Sequence, residues 1–108
     1  MPVVSVFVPV SPSAGALLSA VADATADALG LGAGDVIAVL VPTGATVVSG
    51  SSATDAAPWP IVTIQGSDRG SEKMEAARHA AEASVRSWAA SNGIDVGGVW
   101  TQWQTPMP

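Results

Sequence analysis

The chain has no cysteine and a single histidine, His79. Without thiols there is no disulfide framework, no thiolate nucleophile and no thiolate metal ligand. With one histidine there is no His-rich metal site, and any Ser-His-Asp triad would have to use His79. Charge is also scarce. Of 108 residues 12% are charged and 48% apolar, with a net charge of −5. The four basic residues, Arg69, Lys73, Arg78 and Arg86, crowd into one stretch, and the chain before Arg69 holds none. An acidic chain without a basic patch is a poor partner for nucleic acid or an anionic membrane surface. No apolar run is long enough to span a bilayer. Residues 14–22, AGALLSAVA, have the look of a signal-peptide core but lack the positive region that should precede it. These absences point to a cytoplasmic protein. A small domain with so few charges cannot cover its surface with polar groups, which favours a subunit interface.

What is present is a pattern that occurs twice. VVSVFVPV is β-branched and aromatic and has the length of one strand. The period then changes. Leu17, Val21, Ala24 and Ala28 recur at helical spacing, with Leu18, Thr25 and Leu29 beside them. Ser11 or Ser13 can cap this helix, and Gly30, Gly32 and Gly34 end it. DVIAVLVP reads as a second strand, parallel to the first because the crossover is long. PIVTIQG then starts again behind a proline. SEKMEAARHAAEASVRSWAASNG is a helix with Met74, Ala77, Ala81, Val85 and Trp88 on one face, stopped by Asn92-Gly93, and IDVGGVWTQW is a last strand.

Placing Pro60 on Pro2 aligns Val62 with Val4, Ile64 with Val6 and Ser71 with Ser13. The expectation is one α/β (α+β) domain of two tandem βαβ units, 2–42 and 60–103. Residues 43–59 form a hairpin, edge strand or loop between them, and 104–108 form a tail. Four strands then make one mixed sheet with both helices on one face.

Proline directly behind the initiator methionine, at the head of a tandem βαβ of this length, resembles the tautomerase superfamily. The branch containing macrophage migration inhibitory factor is the most similar. MPVVSVFVPVSPS is similar to that branch's opening strand, DVIAVLVP to the strand after its first helix, and the GSS of VVSGSSATD to its Gly-Ser-Ser loop. The resemblance implies a homotrimer with sheets facing inward. It also implies that Pro2, freed by loss of Met1, is a catalytic base acting on a small 2-keto or enol substrate, with no metal or organic cofactor.

The chemistry suits proline. An α-amino group ordinarily has a pKa of about 8, and burial among apolar groups disfavours its charged form. A neutral amine can move a proton between the carbon and oxygen of a keto–enol pair, and the ring fixes the nitrogen's direction. Arg69, in GSDRGSE, is the candidate anchor for a substrate carboxylate; the competing reading pairs it with Asp68 or Glu72. PVSPSAG has no arginine and GLGAGD no lysine where relatives carry them, so a substrate would meet at most one cation. Trp100, Trp103 and Ile64 are candidates for the apolar pocket wall. The two tryptophans are three apart and therefore point to opposite faces of a strand. Asp35 is a candidate for activating water, as in the malonate-semialdehyde decarboxylase branch, but it reads first as a polar residue at a strand entry after a glycine-rich turn. His79, facing Glu75, reads as part of a solvated helix face.

Overall fold

The structure is a computed structural model, and it describes residues 1–50 and 56–105. The elements run β1 (Val3–Pro9), α1 (Ala14–Leu29), β2 (Ile37–Thr43), β3 (Ile61–Gln65), α2 (Ser71–Ser91) and β4 (Trp100–Gln104). The four strands form one sheet in the order β2-β1-β3-β4. β1 pairs parallel with β2, from Val3↔Ile37 to Pro9↔Thr43, and antiparallel with β3, from Val3↔Gln65 to Phe7↔Ile61. β3 and β4 are parallel, Ile61↔Trp100 to Gln65↔Gln104. Each parallel pair is joined by a helix, as the long crossovers require.

Alternation along β1 decides which face is covered. Val4, Val6 and Val8 are fully buried, while Val3, Ser5, Phe7 and Pro9 are not. Val62 and Ile64 of β3 continue the buried face. Leu17, Val21 and Leu29 of α1, with Ala77, Ala81, Val85, Trp88 and Ala89 of α2, close over it in one core. The two helices pack on each other as well as on the sheet. Ala77, Ala81 and Ala89 form much of the buried face of α2.

The two halves share backbone detail. Pro2 O accepts from Ile37 N (3.1 Å), and Pro60 O accepts from Trp100 N (2.9 Å). Both prolines are fully buried. Both helices close on a glycine at positive φ, Gly30 at 70° and Gly93 at 65°. The next N–H in each case bonds five residues back, Leu31 to Ala26 (2.8 Å) and Ile94 to Ala89 (2.9 Å), the usual way of satisfying a helix's last carbonyls.

Three expectations are corrected. The last strand does not start at Ile94 but at Trp100. Gly97 and Gly98 instead lie under the indole of Trp59, where an added Cβ would come within 2.9 and 2.5 Å of ring carbons. The link 43–59 has no strand beyond Thr43 in its described part; Ala56 N bonds Thr46 O at 2.7 Å, and residues 51–55, with Ser51 and Ser52 of the Gly-Ser-Ser loop, lie outside the described residues. Ser13 sits at the N-cap of α1 but makes no side-chain cap bond. Its hydroxyl accepts instead from Trp88 Nε1 at 2.9 Å.

Thr25 carries a cost. It is fully buried on the core side of α1, 0% accessible, and its Oγ1 has no hydrogen-bond partner among the described residues. Valine has the same shape and the same χ1 restriction without the hydroxyl. Thr25→Val is expected to raise stability by about 1 kcal/mol, since an unpaired buried hydroxyl costs about 1–3 kcal/mol. The measurement is the urea midpoint, which should rise; a lower midpoint at unchanged slope would show that the hydroxyl is bonded in solution.

Candidate functional site

β1 begins, β2 begins, β3 ends and β4 ends at the same edge of the sheet. Pro2 heads β1 there and continues its alternation onto the helix side, where it is buried while Met1 before it is 72% exposed. The antiparallel register that sets Val3 opposite Gln65 brings Gly66 to Pro2. A Cβ on Gly66 would lie 3.6 Å from Pro2 Cα and Cβ and 3.2 Å from Trp103 Cζ2. The glycine therefore leaves room for the proline and the indole each to lie against its bare backbone. Trp103 is fixed there by its Nε1, which donates to Gly66 O at 3.3 Å. Gly66 N donates in turn to Gln104 O at 3.0 Å.

Arg69 is three residues past Gly66, so its Cα is within about 11 Å of that glycine by chain reach. It pairs with neither Asp68 nor Glu72. Asp68 Oδ1 accepts from Gly70 N at 2.8 Å, which turns the chain into α2. The Nε of Arg69 is buried and has no hydrogen-bond partner among the described residues. A guanidinium N–H buried without a partner is costly and is what an anionic ligand would relieve. Asp35 lies at the same edge, two residues before Ile37, whose N–H meets Pro2 O. Its carboxylate is exposed and accepts from Gly32 N at 2.9 Å, closing the turn between α1 and β2.

No family model matches the chain, and no curated protein matches it. Solved structures do. A fused 4-OT, described as a wild-type symmetric trimer, superposes with a TM-score of 0.75 at 24% identity, over 96% of this chain and 85% of that one. Macrophage migration inhibitory factor from Toxoplasma gondii gives 0.72 at 24% identity, over 98% and 90%. A 5-carboxymethyl-2-hydroxymuconate delta-isomerase gives 0.76 at 12% identity, over 100% and 84%. The chain has the tautomerase fold.

Within that fold the remaining candidates separate. Ile64 is fully buried, pairs with Val4 and belongs to the core beneath the helices. Trp100 opposes Ile61 at the far end of the strands and is 59% exposed on the open face. Five residues of strand, about 16 Å, separate that row from Pro2. The tryptophans do point to opposite faces, and of the two only Trp103 lies against Gly66 beside Pro2. Gly66 was missed by sequence reasoning. Its signal is a glycine directly after a strand, whose meaning depends on an antiparallel pairing that local pattern does not reveal.

The acidic and basic residues of α2 form a surface array. Glu75 pairs with Arg78 (2.7 Å) and His79 (3.2 Å), and Glu82 with Arg86 (3.2 Å). Exposed pairs of this kind contribute about 0–1 kcal/mol each. Arg78 Nε also donates to Thr101 O at 3.3 Å, blunting the outer edge of β4. Among the described residues no cluster of His, Asp and Glu could hold a metal ion, and no helix is long and apolar enough to cross a membrane. A groove of about 480 Å³ lies between the helices, lined by Ala16, Ala20, Ala83, Ser84, Ser87 and neighbouring residues. It contains no acid, base or cation, so size does not mark the chemistry here.

Proposed function

We propose that the protein is a keto–enol tautomerase acting on a 2-keto acid such as an aryl pyruvate. Loss of Met1 turns the Pro2 nitrogen from an amide into a secondary amine. That amine takes the enol O–H proton and returns a proton to carbon, or the reverse. The proton moves within one substrate, so neither metal nor organic cofactor is needed. General-base catalysis of this kind is worth about 10²–10⁴-fold. The observation that carries the reading is that Pro2 and Trp103 both lie against Gly66, three residues before Arg69, whose Nε is buried and unpartnered among the described residues. Trp103 and the buried strand supply the low-dielectric surroundings that keep an amine neutral.

A homotrimer completes the site. On the sheet face away from the helices, Val41, Phe7, Ile61 and Trp100 stand side by side in register. Ile37 (44%), Val39 (41%) and Trp100 (59%) are left accessible in the single chain. An apolar row of this kind calls for cover. A neighbouring subunit supplies it and closes the pocket wall that the single chain leaves open at Pro2.

Ketonisation of phenylenolpyruvate by the mature protein tests the reading. With Arg69→Ala the expected result is a KM raised about tenfold or more at nearly unchanged kcat, because a charge-assisted bond to the carboxylate is worth about 1.5–3 kcal/mol. An unchanged KM would dismiss the anchor. Acid should lower kcat/KM, since protonated Pro2 cannot act as a base. The alternative, a decarboxylase or hydratase using Asp35, requires that carboxylate to serve water as well as the Gly32 turn; Asp35→Asn with full tautomerase activity excludes it from the proposed reaction. A trimer without turnover would leave the proline as a strand-leading residue only.

A further inference from the structure

The tandem repeat gives Pro60 the same backbone role as Pro2, at the opposite edge of the sheet. Its nitrogen lies inside the chain and can never be a base. Yet Pro60 also heads a pocket. Pro9, Val10 and Ser11 at the end of β1, Pro58 and Pro60 before β3, Trp88 of α2, and Ile94 with Val96 beyond it surround a cavity of about 180 Å³. We propose that this second proline pocket is a binding site for a small, uncharged, single-ring apolar ligand.

Three observations carry this. The first is size: a dry apolar cavity of about 150 Å³ accepts benzene. The second is the state of the polar atoms. Trp88 Nε1 donates to Ser13 O (3.2 Å) and Ser13 Oγ (2.9 Å), and the hydroxyls of Ser11 and Ser13 meet at 3.0 Å. Pro58 O is taken by Gly97 N and Pro60 O by Trp100 N, both at 2.9 Å. The third is charge: none of the lining residues is ionisable. The wall thus offers carbon and an aromatic ring, with its hydrogen-bonding capacity spent elsewhere. Groups that need partners are rejected because their desolvation is not compensated. Val10, 79% exposed, stands at the rim, where a ligand would enter.

Toluene is the probe, titrated into the full-length ¹⁵N-labelled protein. The expected result is saturable amide shifts at Val10, Ser11, Ile94 and Val96 and at the Trp88 indole N–H, with residues around Pro2 and Gly66 unmoved. Phenol should bind about tenfold more weakly, losing the hydrogen bonds it made to water, and benzoate should not bind. Val96→Phe, which places a ring in the cavity, should abolish the toluene shifts. Should that variant fail to fold, the toluene, phenol and benzoate comparison on the wild-type chain decides the matter alone. No saturable shift at these residues up to the solubility of toluene, or equal affinity for benzoate, would overturn the proposal. Shifts confined to the Pro2 edge would do the same.

Discussion

Pro2→Ala is expected to lower kcat for ketonisation of phenylenolpyruvate by about 10²–10⁴-fold, the range that a positioned general base supplies, while the protein still folds. Alanine keeps an α-amino group once methionine is removed, so the loss does not come from deleting a nitrogen. It comes from deleting the ring. The ring packs over Gly66 beside Trp103, and it fixes the direction of the nitrogen. A primary amine on alanine rotates freely and is better solvated, which costs both orientation and neutrality. The check is a kcat/KM comparison on preparations whose N-termini have been read by mass. A fall in kcat with an unchanged melting temperature is the expected combination. Full activity in the variant would remove Pro2 from the reaction.

Trp88→Ala has the largest expected effect on stability, about 3–5 kcal/mol, as for other large aromatic truncations in a core. A domain of this size has only about 5–15 kcal/mol in total. Trp88 is 8% exposed and belongs to the main core cluster. Its indole N–H reaches 75 residues back in sequence to Ser13, at the entry of α1. It therefore joins the second crossover helix to the first, which few residues of this alanine-rich pair are large enough to do. Trp88→Phe keeps a benzene ring but loses the pyrrole part with its donor, and should cost less than Trp88→Ala but more than about 1 kcal/mol, the worth of the hydrogen bond alone. Urea unfolding of the two variants separates packing from bonding. A Trp88→Ala variant with the wild-type midpoint would contradict this account of the core.

The helices were legible because their packing is periodic. Leu17, Val21, Thr25 and Leu29, and likewise Ala77, Ala81 and Val85, follow one another at helical spacing, and all of them are buried. The β1 and β3 strands were legible because each is a short β-branched run behind a proline. The start of β4 was not. IDVGGVWTQW reads as one continuous strand, but Trp59, distant in sequence, lays its ring on Gly97 and Gly98, and Gly97 N bonds Pro58 O. Propensity cannot anticipate a non-local side chain occupying the backbone's path. Ser13 shows the same limit: its residue type signals a cap, yet Trp88 claims the hydroxyl.

The site divides along the same line. Pro2 is singled out by its place behind Met1 and by the resemblance, and Arg69 by the chemistry of its side chain. Asp35 reads mainly as a polar residue at a strand entry, and its carboxylate accepts from Gly32 N. Alternation put Trp100 and Trp103 on opposite faces, but which of them meets Pro2 depends on the end of the sheet each occupies. That follows from β1 and β3 being antiparallel, a pairing fixed by the whole core. Gly66 could be recognised only after that pairing was known.

The most direct test of the central claim is the intact mass of the natively produced chain, taken on the same preparation that is assayed with phenylenolpyruvate. The account predicts a chain lighter by one methionine residue that turns the enol over. A chain that keeps Met1 and is fully active would contradict it, because an amide nitrogen cannot take the proton.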